Sequence, residues 1–121
     1  MADIAIDFRR FAGLGNTVLD IPRTASTRYT GNYWYGGQYD NTLNAAVTYV
    51  QFFNKKASAV TLGTTAPDYV LVVPAGRIVH FSKDKRPLNF DQGFSFAATT
   101  TKTGNTAPAS AFDATPYFTE S

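Results

Sequence analysis

Strand-like segments separated by turn residues recur about every ten residues in the second half of this chain. Residues 45–53 alternate between two sets of side chains, as a β-strand requires, and both sets include aromatic or branched residues. Residues 68–73 form a largely apolar run that ends in a Pro-Ala-Gly turn, and residues 78–81 alternate again. Residues 90–99 form an aromatic strand with a bend predicted at its glycine. This pattern predicts an antiparallel β-sandwich or jelly-roll-like domain.

Three further segments complete the predicted sandwich. Residues 58–62 are predicted as a strand with Val60 and Leu62 facing inward, and residues 111–118 as a strand that closes the sheet. The Thr- and Gly-rich segment 99–110 has no periodicity and is predicted to be a long loop. The alternation along the strands predicts six buried side chains: Val50, Phe52, Leu71, Val73, Phe94 and Phe96.

Composition supports the all-β prediction. Glutamate occurs once in the 121 residues, at Glu120, whereas aromatic residues make up 15% of the chain. Strong helix formers are therefore scarce and strand formers are common. An apolar fraction of 44% is enough to fill one hydrophobic core, and a chain of this length leaves little room for a second domain.

The first 43 residues differ from the rest. Residues 7–14 carry apolar side chains at helical spacing, which predicts a helix. This helix would be short, because glycines interrupt the pattern. Residues 23–40 have almost no aliphatic side chains and are rich in Tyr, Gly, Arg and Thr. We therefore divide the chain into an N-terminal arm (residues 1–43), which lies across other protein surface, and a β-sandwich domain (residues 44–121). The alternative is that the arm contributes two extra edge strands to the same sheet.

Five aromatic residues of the arm are candidate interface residues, because Trp and Tyr are enriched in the contacts that dominate binding energy. Glycines beside them would let the backbone lie close to a neighbouring surface. The two alternatives are packing in the protein's own core and binding of a glycan. The candidate residues are Tyr29, Tyr33, Trp34, Tyr35 and Tyr39.

Charge and sequence signals argue against several classes of function. Charged residues are 17% of the chain, the net charge is +2, and the basic residues are scattered, which argues against nucleic-acid binding. The longest apolar run, residues 69–73, is too short for a membrane-spanning helix. The N-terminus lacks the pattern of a signal peptide, and the chain has no cysteine. We expect the chain to be made in a reducing cytoplasm.

No arrangement of residues predicts catalysis or a cofactor. His80 is the only histidine, and no acidic residue lies beside it in the sequence to orient it as a base. Glycosidases need a pair of carboxylates, which aspartates of this chain could supply. Aspartates in loops are, however, more typical of turns, where their side chains bind nearby backbone N–H groups. One histidine cannot build a zinc site, although calcium held by loop carbonyls and Asp side chains stays an alternative. We predict no catalytic, cofactor-binding or metal-binding residue.

Three segments follow one another in a distinctive order of strand and turn signatures. They are residues 49–65 (YVQFFNKKASAVTLGTT), residues 70–76 (VLVVPAG) and residues 90–100 (FDQGFSFAATT). This order resembles a small domain of tailed-bacteriophage structural proteins, and the resemblance covers about residues 46–110. The charged stretch 83–87 departs from the family pattern, which is usually short and apolar there.

The resemblance implies a non-enzymatic virion protein, most similar to the capsid decoration (cement) proteins. Such a protein would bind the major capsid protein or other virion proteins, stabilise the assembled lattice, and self-associate, with a trimer favoured. It would be made in the host cytoplasm and would reside on the capsid surface of the virion. A tail, neck or baseplate connector is the first alternative, and a glycan-binding receptor-recognition module is the second.

Overall fold

The computed structural model describes residues 7–21, 32–82 and 88–120, and regular structure in these ranges is almost entirely β-strand. In chain order the strands are β1 (Asp7–Phe8), β2 (Leu19–Asp20), β3 (Asn32–Asp40), β4 (Thr48–Phe53), β5 (Tyr69–Val73), β6 (Ile78–Ser82), β7 (Leu88–Phe90), β8 (Ser95–Thr99) and β9 (Asp113–Glu120). A short 3₁₀ turn, Ala57–Ala59, lies between β4 and β5. None of the described residues forms a helix long and apolar enough to cross a membrane.

The strands form two antiparallel sheets. The first sheet has the order β1-β9-β3-β6, with β7 also paired to β3, and the second has the order β2-β8-β4-β5. The β6 and β7 strands follow one another along the same side of β3, because Ser82 pairs with Gly36 and Leu88 pairs with Trp34. The chain passes repeatedly from one sheet to the other. The resulting strand order within the two sheets is that of a jelly roll. The predicted all-β sandwich is therefore confirmed.

The β3 strand is an interior strand of the first sheet, with β9 on one side and β6 and β7 on the other. The prediction that residues 32–40 belong to an N-terminal arm is therefore wrong, because these residues belong to the sandwich. The β1 and β2 strands add short edges, as the alternative interpretation expected, but to two different sheets rather than to the same one. The physical reason is that the aromatic side chains of this segment fill the core that its few aliphatic residues could not fill. The remaining parts of the predicted arm, residues 1–6 and 22–31, lie outside the described residues.

Two consecutive glycines make a bulge in the middle of β3. The pairing register with β9 shifts between Trp34 and Gly37, and both Gly36 and Gly37 have positive φ, +101° and +135°. A Cβ atom at Gly36 would lie 2.4 Å from the Phe81 carbonyl oxygen, and one at Gly37 would lie 2.3 Å from the Thr115 carbonyl oxygen. Glycine is therefore required here by backbone conformation and by the close approach of both neighbouring strands.

The core lies between the two sheets and is largely aromatic. All six side chains predicted to be buried from the strand alternation are buried. The Trp34 ring packs 4.4 Å from the Phe52 ring across the two sheets, and Phe90 stacks on Phe94 at 4.3 Å. Such ring pairs stabilise the fold beyond the area that they bury, by about 0.5–1.5 kcal/mol each.

The outer face of β4 is also covered. Gln51 and Phe53 point away from the core, yet both are buried. The Gln51 side-chain amide donates to the Thr99 hydroxyl at 2.8 Å and to the Gly104 carbonyl at 3.0 Å. The loop between β8 and β9 therefore folds back over the second sheet, which explains why both faces of this strand carry large side chains.

Three local predictions are wrong. Residues 90–99 are not one bent strand, because Phe90 ends β7 in the first sheet and Ser95 begins β8 in the second sheet. Residues 58–62 form a 3₁₀ turn and a loop rather than a strand. The backbone of this segment makes local turn hydrogen bonds instead of pairing with a strand: the Val60 N–H donates to the Ala57 carbonyl, and the Thr64 N–H donates to the Thr61 carbonyl. Residues 7–14 form no helix: they run along β9, where Phe11 and Ala114 exchange two backbone hydrogen bonds of 2.7 and 3.1 Å. The predicted charged loop at residues 83–87 lies outside the described residues.

Candidate interaction surface

The predicted interface residues differ in their burial and in the face of the sheet that they occupy. Trp34 and Tyr39 are 0% exposed and belong to the core, which corrects their assignment to an interface and agrees with the own-core alternative. Tyr35 is also buried, and Tyr33 is half-buried; both alternate with Trp34 along β3 and so face away from the core. Tyr29 lies outside the described residues. Of the described candidates, Tyr33 alone keeps a substantial part of its side chain exposed.

Asn41 joins two connections at one end of the sandwich. It directly follows β3 and is fully buried. Its side-chain amide donates to the carbonyl oxygens of Ala46, Val73 and Pro74 at 3.0 to 3.2 Å. Its side-chain oxygen accepts hydrogen bonds from the Thr48 hydroxyl and the Asn44 amide. The β3–β4 connection is thereby fixed against the β5–β6 turn.

Asn44 brings a third connection into the same network. Its side-chain amide donates to the Ser110 carbonyl at 3.2 Å, and its side-chain oxygen accepts from the Ser110 backbone N–H at 2.8 Å. Ser110 belongs to the long β8–β9 connection, 66 residues further along the chain. Because buried amide hydrogen bonds are costly to break, the three connections form one rigid unit.

Most of the surface of this unit is uncharged, and the charged residues of its three connections are Arg77 and Lys102. We name it the uncharged end: residues 41–47, 74–76 and 107–112, none of which is Asp, Glu, Lys or Arg. Leu43 projects from it with 69% of its surface exposed, and Ile78, at the adjoining start of β6, is 51% exposed. Asp40 and Arg77 flank the uncharged segments. An apolar centre with a polar border is typical of protein interfaces.

A small depression lies within the uncharged end. Its volume is about 130 Å³. Its lining residues come from the β3–β4 and β8–β9 connections and the strand ends beside them: Asn44, Ala45, Ala46, Val47, Thr48, Thr100, Pro108 and Ala109. It is therefore well below the volume of about 300–1,000 Å³ that is usual for small-molecule sites. Its mostly small, uncharged lining suits an apolar side chain of a docked protein.

The outer face of the first sheet carries a second exposed feature, which we name the aromatic stripe: Phe8, Tyr117 and His80. Phe8 and Tyr117 are cross-strand partners on β1 and β9, and Phe8 is 72% exposed. The Tyr117 hydroxyl lies 3.1 Å from His80 Nε2, although β3 runs between their strands. Gly36 and Gly37 lack side chains, so nothing on β3 stands between these two side chains at the bulge.

One ion pair joins the start of the chain to β9. Arg10 Nη2 donates to Asp113 Oδ2 at 2.5 Å, and the Gly13 backbone N–H donates to the other carboxylate oxygen at 3.0 Å. The hydrogen bond from Arg10, assisted by that from Gly13, lowers the pKa of Asp113 below its ordinary value. Arg10 is largely exposed, so solvent screens the pair and its role is to position the 9–14 segment.

Over residues 7–21, 32–82 and 88–120, no three His, Cys, Asp or Glu side chains are close enough to hold a metal ion. The side chain of His80 has the Tyr117 hydroxyl as its hydrogen-bond partner. The asparagine network was not predicted from the sequence, although Asn at two positions three apart, directly after a strand, is a recognisable turn signal.

Comparisons of the chain with protein-family models, with curated proteins and with solved structures found no match in any of the three.

Proposed function

We propose that this chain is a non-enzymatic structural protein of a tailed bacteriophage, most similar in role to a capsid decoration protein. In this proposal it binds the major capsid protein or a neighbouring virion protein and stabilises the assembled lattice. The uncharged end is the observation that supports a binding role most directly. A jelly roll is also an architecture of viral capsid domains, although the same architecture occurs in lectins and cupins.

The uncharged end has the properties of a preorganised docking surface. Asn41 and Asn44 hold its three connections in place before any partner arrives. Binding therefore does not require the additional free energy that ordering flexible loops would cost. The exposed Leu43 supplies an apolar anchor, and no charged side chain of the end must lose its water on association.

Stabilisation of a lattice follows from linkage. A protein that binds only the assembled state lowers its free energy by RT ln(1 + [L]/Kd) for each site, and many copies add up over a shell. Self-association as a trimer at a symmetry axis would let one assembly hold more than one capsid subunit.

The copy number of this chain in purified phage particles tests the proposal. Quantitative mass spectrometry of gradient-purified particles, calibrated with labelled peptides of this chain and of the major capsid protein, gives that number. Hundreds of copies per particle support a decoration protein. A dozen or fewer would support a tail, neck or baseplate connector instead. Absence from particles that are otherwise complete would overturn a virion role altogether.

A glycan-binding module is the candidate from a different class. The aromatic stripe favours it, because an exposed Phe8 beside the Tyr117 hydroxyl and the His80 imidazole combines an apolar ring with hydrogen-bonding groups. A glycan array distinguishes this candidate, provided that any signal is compared with that of a Phe8→Ala variant. A signal that Phe8→Ala abolishes would favour glycan recognition.

A further inference from the structure

A groove lies at the opposite end of the sandwich from the uncharged end. It has a volume of about 300 Å³ and lies between the connection that follows β4 and the turn that precedes β8. This size is at the lower limit of ordinary small-molecule sites. The lining residues are Asn54, Lys55, Lys56, Ser58, Ala59 and Gln92.

The groove is built on a fixed backbone. Asn54 spans the two connections: its side-chain amide donates to Asp91 at 3.0 Å, and its side-chain oxygen accepts from the Gln92 backbone N–H at 2.8 Å. The Ser95 hydroxyl donates to the Lys55 carbonyl at 2.7 Å. Gly93 packs so closely that a Cβ atom there would lie 2.3 Å from the Lys55 carbonyl carbon. The positions of the two lysines are therefore fixed by their backbone.

The polar side chains that line the groove are all capable of donating hydrogen bonds, and none is a carboxylate. Three aspartates lie nearby, but each accepts a hydrogen bond from the connection itself. Asp68 accepts from the Asn54 backbone N–H, Asp91 from the Asn54 side chain, and Asp20 from the Ala57 backbone N–H. No ion pair joins Lys55 or Lys56 to a described carboxylate.

We propose that this groove binds an oxyanion, a carboxylate or phosphate group of a small ligand, between Lys55, Lys56, Ser58 and Gln92. Two lysines, a serine and a glutamine line this groove and no carboxylate does, which suits the binding of such a group. Hydrogen bonds between charged partners are short and strong, so the lysines would supply most of the affinity. The site is independent of the uncharged end and of the proposed virion role.

Titration of the ¹⁵N-labelled full chain, followed by NMR, tests the site. The probes are inorganic phosphate and glucuronate, with glucose as the uncharged control and sodium chloride holding the ionic strength constant. We expect saturable shifts confined to the amides of residues 54–59 and 92. The two probes distinguish a phosphate from a sugar carboxylate as the preferred source of the anion.

A double substitution, Lys55→Gln with Lys56→Gln, should weaken binding by about tenfold to a hundredfold, because two charge-assisted hydrogen bonds are lost. The matched control is Lys102→Gln, an exposed lysine outside this groove, which should bind as the unmodified chain does. All side chains replaced are exposed, so the fold should persist, and an unchanged spectrum outside the groove verifies this. Equal binding by the double variant, equal shifts with glucose, or no saturable shift with either anion would overturn the proposal.

Discussion

Trp34 donates a hydrogen bond of 3.0 Å from its indole N–H to the hydroxyl of Tyr39, five residues later in the same strand. The Tyr39 hydroxyl in turn donates to the Gly36 carbonyl at 2.7 Å. Burial raises the pKa of this phenol, which keeps it protonated and able to donate. The polar atoms of Trp34 and Tyr39 thus have hydrogen-bond partners at the bulge that lies between the two residues.

Removing the Tyr39 hydroxyl should destabilise the fold without emptying the core. In Tyr39→Phe the Trp34 N–H and the Gly36 carbonyl lose a buried partner, which should cost about 1–3 kcal/mol. Urea unfolding at neutral pH measures this loss. Tyr49→Phe, at a half-buried tyrosine in the other sheet, serves as the control and should change stability much less. Equal effects of the two substitutions would contradict the assigned network.

The bulge should tolerate no side chain. Gly36→Ala would combine a positive φ with a steric clash against the Phe81 carbonyl, so we expect a loss of at least about 2 kcal/mol. Gly76→Ala separates these two causes, because Gly76 has φ +68° but nothing within 4 Å of a Cβ. That control should cost only about 1 kcal/mol. Thermal unfolding of both variants measures the difference, and a smaller cost at Gly36 than at Gly76 would argue against the bulge geometry.

Phe94 should be one of the most sensitive core positions. It is 2% exposed and stacks on Phe90, so Phe94→Ala removes a large side chain from a closely packed site. The expected loss is about 3–5 kcal/mol, from lost burial together with the cavity that remains. Chemical denaturation measures it. A change within experimental error would place this side chain outside the core.

Acid should weaken the contact between the 9–14 segment and β9. The pKa of Asp113 is lowered in the folded chain, so the stabilisation is complete above the ordinary pKa of Asp, about 3.9. It is lost as the pH falls through the lower folded value, because the unfolded chain then takes up the proton first. Asp113→Asn should therefore be less stable than the unmodified chain at neutral pH and converge with it in strong acid. If the difference in melting temperature between Asp113→Asn and the unmodified chain is the same at every pH, the expected direction of this pH dependence is wrong.

Attachment to particles should depend on the uncharged end. Leu43→Glu places a charge at its most exposed apolar residue and should weaken binding by about 2 kcal/mol or more if Leu43 is an anchor. Phe8→Glu makes the same change on the aromatic stripe and should leave attachment intact. Since the end has no charges to pair, added salt should release little protein. Co-sedimentation with particles that lack the chain tests all three expectations, and selective loss with Phe8→Glu would move the docking surface to the stripe.

Strands with regular alternation were predictable from the sequence, and β3 was not. Trp34 and Tyr39 are five positions apart, which in an uninterrupted strand would place them on opposite faces. The Gly36–Gly37 bulge inserts one residue and turns both inward, so the periodicity that identifies a core strand is broken at this point. The prediction for residues 58–62 failed in the opposite way, because their side chains alternate as in a strand while their backbone forms local turns.

The candidate surface was less accessible to prediction than the core. The sequence indicated aromatic side chains as contacts, but the exposed apolar residue of the uncharged end is Leu43, in a turn. What makes this turn a surface is the pairing of Asn44 with Ser110, a contact between distant parts of the chain. Local patterns carry no information about such a contact, since it arises only when the sheets assemble.

The succession of β6 and β7 along one side of β3 has a consequence for protein engineering. Ser82 at the end of β6 pairs with Gly36, and Leu88 at the start of β7 pairs with Trp34, so the paired positions on β3 lie on either side of Tyr35. Each of the two strands has its own register on β3, β6 opposite residues 36–40 and β7 opposite residues 32–34. A designed change of register in β7 should therefore leave the pairing of β6 unchanged, because the two strands pair with different residues of β3.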